Sequence, residues 1–165
     1  GKDADFIQNI INENNLNIEI ANDNSPMQIV ISGKKEDIIS SKELFEKNNI
    51  KKFINLNVSA AFHSKYMLQA QTELSKDIDT LNFSENEVKI ISNYDANIYK
   101  DNLSIKYNLQ KQMANKVNWT ASIKKLEEVG EKKIIEIGPN KVLSSLINRI
   151  SKKFDIISIN KISDL

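Results

Sequence analysis

Apolar residues along this chain change their spacing repeatedly, and the order of those changes limits what it can fold into. Phe6, Ile7, Ile10 and Ile11 make a helical stripe within residues 4–14. Residues 16–21 then alternate apolar and polar, the mark of a half-buried strand. A cluster of turn formers at 22–26 separates them from a second strand over 28–32, so the two read as a hairpin. Gly33 breaks the pattern. Residues 36–47 are helical, with Ile38, Ile39, Leu44 and Phe45 turned inward, and 51–57 read as a third strand.

Helix-strand-strand-helix-strand is the order of a ferredoxin-like unit lacking its first strand. In that order the first strand is central, and its loss leaves ladder donors and acceptors unpaired. The expectation is therefore that the chain begins at a cut. The second half alternates differently. Helices are expected over 65–81 (Met67, Leu68, Leu74 and Ile78 along one stripe), 103–114, 121–129 and 141–151. Strands are expected over 88–92, 132–137 and 154–159, and Gly130 suits the stop of the third of these helices. Strands alternating with helices imply an α/β fold with a mainly parallel sheet covered on both faces. The division expected is residues 1–60 as a small subdomain and 61–165 as part of a larger one.

Composition excludes several classes. No apolar run approaches the length that spans a membrane. Cysteine is absent, which removes disulfides and thiolate metal sites, and one histidine with scattered carboxylates makes a poor metal site. The 23 basic residues are balanced by 22 acidic ones, so charge does not argue for nucleic acid. Asn, Ile and Lys are heavily used and Arg is nearly absent, a bias that points to an AT-rich genome and weakens any argument from a single Asn or Lys.

The only histidine, His63, lies in Val58-Ser59-Ala60-Ala61-Phe62-His63-Ser64-Lys65-Tyr66-Met67, between an apolar extended run and an amphipathic helix. Corners of this kind expose catalytic side chains in α/β enzymes, and imidazole exchanges protons readily near neutral pH. Spacing alone favours a structural or surface histidine, because no partner for a triad is visible.

That stretch resembles the histidine motif of the malonyl-CoA:acyl carrier protein transacylase family, and others agree in order. Asn24-Ser25-Pro26-Met27-Gln28 followed by Ile29-Val30-Ile31-Ser32-Gly33 is similar to the family's Asn-Ser-Pro-Gly-Gln hairpin and apolar strand. Gln112-Met113-Ala114-Asn115-Lys116-Val117-Asn118-Trp119 resembles Gln-Leu-x-x-x-Val-x-Trp. Ile135-Glu136-Ile137-Gly138-Pro139-Asn140-Lys141-Val142-Leu143 resembles Glu-Ile-Gly-Pro-Gly-Lys-Val-Leu. The family's Gly-His-Ser-Leu-Gly elbow, its Gly-Gln-Gly-Ser-Gln oxyanion loop and its malonyl-binding arginine are not found among these residues.

The resemblance implies the C-terminal part of an α/β-hydrolase-like acyltransferase core with an inserted ferredoxin-like subdomain. It implies transfer of malonyl from malonyl-CoA to the phosphopantetheine thiol of acyl carrier protein in fatty acid biosynthesis, through a serine acyl-enzyme whose serine is not in this chain. By itself the chain is expected to be inactive. A synthase acyltransferase domain and a non-catalytic interaction module are the alternatives. No cofactor is implied beyond the carrier's own phosphopantetheine. His63 takes the catalytic base position, and Gln112 the position whose backbone carbonyl orients it; a plain helix end is the other reading of Gln112. Phe62 precedes the histidine, where a bulky ring accompanies malonyl selection in related domains. Asn24 lies in a loop beside the family's cleft, with turn geometry as its alternative, and Met27 replaces the usual Gly there. Lys51, Lys52 and Arg149 are candidate contacts for the acidic carrier protein, or else solvated surface. The AT-rich bias fits the plastid (apicoplast) of a parasite, with a bacterial cytoplasm as the alternative.

Overall fold

A computed structural model describes residues 2–84 and 87–164. Helix α1, Ala4–Glu13, starts where the Asp3 carboxylate accepts the Phe6 N–H and buries Ile7, Ile10 and Ile11. Strands β1 (Ile18–Ser25) and β2 (Gln28–Gly33) pair antiparallel, and α2 (Lys35–Lys47) follows. Their core is Ile7, Ile10, Ile11, Ile18, Ile20 and Phe45, with Phe53 stacked at 5.8 Å on the Phe45 ring.

The second half contains α3 (Leu68–Thr80), entered through a 3-10 turn at Lys65–Met67, and a short antiparallel pair, β3 (Ile90–Ile91) with β4 (Ile98–Tyr99). Then come α4 (Asn102–Lys111), a 3-10 turn at Gln112–Ala114, α5 (Trp119–Glu128), β5 (Lys133–Ile137), α6 (Val142–Ile150) and β6 (Asp155–Ile159). Strands β5 and β6 pair parallel across α6, but they stand as a two-stranded sheet with Ile135 and Ile137 exposed, not as the mainly parallel, covered sheet expected, because β3 pairs antiparallel with β4 instead of joining them. The hairpin also touches this half. Val117 forms a parallel bridge with Asn22, and Thr120 Oγ1 donates to the Asp23 carboxylate at 2.6 Å.

Three helix stops share one device. At the ends of α1, α2 and α5 the residues Asn15, Asn49 and Gly130 take φ of 47°, 63° and 84°. In each case the next residue donates back five positions: Leu16 to Ile11, Ile50 to Phe45, Glu131 to Leu126. With only 4 glycines available, asparagine supplies the left-handed residue at two of these stops, and again at Asn140.

Three further expectations need correction. Residues 51–57 form no strand, because no ladder partner lies beside them among the described residues. Ile54, Leu56 and Val58 are exposed accordingly. The turn is not at 22–26. Strand β1 runs through Ser25, which pairs with Gln28, so Pro26 and Met27 alone make the turn. Met27 does not take positive φ, so the side chain standing where Gly is usual is not strained. The helix expected over 65–81 begins as a 3-10 turn, and Leu68 is exposed rather than on the buried stripe.

Candidate active site

The geometry of the site starts from a backbone constraint. His63 has φ of 57°, in the left-handed region where a side chain other than Gly or Asn is disfavoured. Neighbouring contacts hold it there. The His63 N–H donates to the Met113 carbonyl at 3.0 Å. Ser64, fully buried, donates its hydroxyl to the Ala61 carbonyl at 2.6 Å. The Lys65 N–H donates to the Glu19 carboxylate at 2.9 Å. Thus strand β1, the loop and the 3-10 turn after α4 together fix the direction of one imidazole.

His63 Nδ1 lies 2.9 Å from the Gln112 carbonyl oxygen. A carbonyl only accepts, so Nδ1 carries the proton in that bond, and Nε2 of the neutral ring keeps its lone pair. The ring is half-buried. A base oriented by an acceptor on its far nitrogen is the arrangement that acyl transfer to a hydroxyl requires.

The other sequence candidates are placed as follows. Gln112 opens the 3-10 turn that continues α4, and its main chain, not its side chain, meets His63. Phe62 is 44% exposed, so it is not a core aromatic. Asn24 is not at the hairpin tip. It is the extra residue of a β-bulge between Asp23 and Ser25, and half-buried. Lys51 and Lys52 are exposed and form no ion pair among the described residues. Arg149 is exposed and donates to the Gln28 side chain at 2.7 Å, which ties α6 to the hairpin. His63 and Gln112 are therefore brought together, while Arg149 is engaged within the fold.

Sequence reading missed Gln71. It is 8% exposed, and its Oε1 accepts the N–H of buried Ala114 at 3.1 Å, in the same turn that presents Gln112. The signal was available: Gln71, Leu74 and Ile78 share one face of α3, and a polar residue in such a stripe needs a buried partner.

Comparison with known proteins identifies the family of this α/β chain. Residues 7–162 match the acyl transferase domain family model, and the chain belongs to that family. It is 35% identical over 164 residues to the malonyl CoA-acyl carrier protein transacylase of Bacillus subtilis, an alignment covering 97% of this chain and 51% of that protein. It is 40% identical over 155 residues to the Bacillus subtilis polyketide biosynthesis protein PksE, covering 93% of this chain and 20% of that protein. Among solved structures, the malonyl-CoA:acyl carrier protein transacylase of Xanthomonas oryzae superposes with a TM-score of 0.92 at 29% identity, over 99% of this chain and 53% of that one. The chain thus spans about half the length of the transacylases it matches. Among the described residues no helix is long and apolar enough to cross a membrane.

Proposed function

We propose that this chain supplies the histidine base of a malonyl-CoA:acyl carrier protein transacylase, acting on a serine from outside these residues. The observation that carries the reading is the 2.9 Å contact between His63 Nδ1 and the Gln112 carbonyl. Nε2 takes the proton of the serine hydroxyl as its oxygen attacks the thioester carbonyl. The C–S bond then breaks, and the imidazolium returns the proton to the departing coenzyme A thiol. In the second half the phosphopantetheine thiol of acyl carrier protein gives its proton to Nε2 and attacks the acyl-serine. The reading is tested by single-turnover loading of malonyl-CoA in the transacylase containing this chain, with and without His63→Ala. Normal loading in the variant removes His63 from the mechanism.

One observation favours a polyketide setting over fatty acid synthesis. Identity to the polyketide transacylases of Bacillus velezensis and Bacillus subtilis is 42% and 41%, against 35% for the Bacillus subtilis transacylase without that label. Faster transfer to a polyketide-type than to a fatty-acid-type carrier protein is the outcome that distinguishes them. A carrier partner is supported by one solved relative at TM-score 0.92, described as a type II polyketide acyl-carrier protein in complex with its malonyl-transacylase. These relatives are bacterial, which supports the bacterial alternative and lends nothing to the plastid.

Phe62 is assigned to the acyl pocket, where its exposed ring excludes an α-methyl group. Phe62→Ser is expected to lower the kcat/KM preference for malonyl-CoA over methylmalonyl-CoA by about tenfold, within the range one methyl group commands. An unchanged ratio makes Phe62 a packing residue. Lys51 and Lys52, exposed, are assigned to the carrier protein. Lys51→Glu with Lys52→Glu is expected to raise KM for the carrier several-fold, since exposed pairs are worth about 0.2–1 kcal/mol each. Malonyl-CoA loading stays near normal, and the salt dependence of carrier transfer largely disappears. If variant and wild type respond to salt alike, the carrier docks elsewhere. Arg149 is a weaker candidate, because its guanidinium is already engaged by Gln28.

A further inference from the structure

We propose that Gln71 is a positioning residue for the transfer, holding the Gln112 carbonyl in line with His63 by capping the 3-10 turn from below; this rests on the reading of His63 as the base. The argument begins with the end of α4. After Lys111 the chain tightens into the turn Gln112–Ala114, and the backbone then leaves in extended conformation at Asn115, φ −127° and ψ 156°. Tightening takes N–H groups out of the α-helical ladder. The Ala114 N–H lies in that turn, whose main-chain bonds are of the weaker three-residue kind, and Ala114 is 6% exposed, so water does not readily reinforce them.

Gln71 Oε1 supplies an acceptor at 3.1 Å, reaching across from α3. The Asn115 side chain approaches the same oxygen at 3.5 Å while donating to the Lys111 carbonyl at 2.7 Å, which closes the turn on both sides. Two carbonyls of this turn face the histidine. Gln112 accepts from Nδ1 at 2.9 Å, and Met113 accepts from the His63 N–H at 3.0 Å. One buried side-chain oxygen therefore sets the turn that sets both bonds of His63. Gln71 touches no reacting atom and works through the main chain of residues 112–114.

The consequence is specific to the ring. A Gln112 carbonyl held in place keeps the neutral imidazole in its Nδ1–H form, with Nε2 unprotonated. A loosened turn lets the ring pass to the Nε2–H form, which cannot accept the serine proton. The side chain that removes the acceptor while keeping length is Gln71→Met. Gln71→Glu keeps an oxygen at that place.

The test is made in the transacylase containing this chain, with 15N-labelled histidine, the His63 signal being identified by its loss in His63→Ala. Gln71→Met is expected to slow single-turnover malonyl loading about tenfold, the scale of one hydrogen bond. The His63 nitrogen shifts are expected to move toward the Nε2–H form, and Gln71→Glu to restore both rate and shifts. Gln71→Asn, one methylene too short, is the second variant, expected to move the shifts in the same direction. Wild-type shifts in a folded Gln71→Met or Gln71→Asn overturn the proposal, as does a rate loss that Gln71→Glu fails to rescue. Normal loading in His63→Ala overturns instead the reading of His63 as the base, while the shifts still decide whether Gln71 holds the ring.

Discussion

His63→Ala is expected to slow acylation in the proposed transacylase by about two to four orders of magnitude, the share usual for a positioned general base. That is about 2.7–5.5 kcal/mol of transition-state stabilisation. The alanine variant carries a second effect, because position 63 has φ of 57° and alanine tolerates that region poorly. Its cost there is of order 1 kcal/mol and falls on folding stability, not on proton transfer. His63→Asn separates the two. Asparagine accepts left-handed geometry, as Asn15, Asn49 and Asn140 do here, and brings no base. Both variants are expected to lose the rate and the hydrogen bond to the Gln112 carbonyl, and the alanine to lose the more stability by thermal melting. A near-normal acylation rate in His63→Asn would falsify the base assignment.

The same asparagines show why parts of the fold were legible and parts were not. Helices α1 and α2 fall where periodicity put them, and so do β5, α6 and β6, within a residue or two, although Ile39, expected to turn inward on α2, is exposed. Boundaries in the hairpin were misjudged because Asn22, Asp23 and Asn24 read as turn formers. In a chain this rich in Asn they occupy a bulged strand, held at its edge by Val117 and Thr120 from the distant second half. Local propensity could not see that partner. The apolar run at 51–57 failed in the opposite sense. Its pattern is that of a strand, but a strand exists only where another backbone pairs with it.

The candidate site was legible only in part. The residues flanking His63 pointed to a corner, and nothing in them pointed to Gln112, which lies 49 positions away. Family resemblance supplied that position, and a main-chain acceptor leaves no side-chain signature to read. Gln71 did leave one, as a polar residue on an apolar face of α3.

Glu136→Gln is expected to remove about 1–3 kcal/mol of stability at neutral pH, and to change its acid dependence. Glu136 sits on β5 and is 9% exposed. Its carboxylate accepts the N–H groups of Leu143 and Ser144, each at 2.9 Å, and the Ser144 hydroxyl, which meets the Ser158 hydroxyl at 2.8 Å. Helix α6 has no side-chain cap at Lys141, so this carboxylate caps it from the neighbouring strand, and its charge lies at the favourable end of the helix dipole. The Ser144 hydroxyl above all holds the carboxyl below its ordinary value of 4.5; burial opposes this, and the backbone N–H groups of Ser144 and Leu143 and the Ser158 hydroxyl reinforce it. A carboxyl depressed in the folded state contributes stability that is fully present above the unfolded value. That contribution is lost as pH falls through the folded one. The difference between wild type and Glu136→Gln, from urea unfolding at successive pH values, is therefore expected to be constant near neutrality and to shrink below about pH 4.5. Asp79, Asp101 and Glu127 are depressed as well, by Lys106, Ser104 and Lys153 in turn, but they are common to both proteins and cancel in that difference. A gap that stays constant to pH 3 means that the uncharged acid caps the helix as well as the carboxylate does. A gap absent at pH 7 means that α6 is held by Leu146 and Ile147 in the core alone.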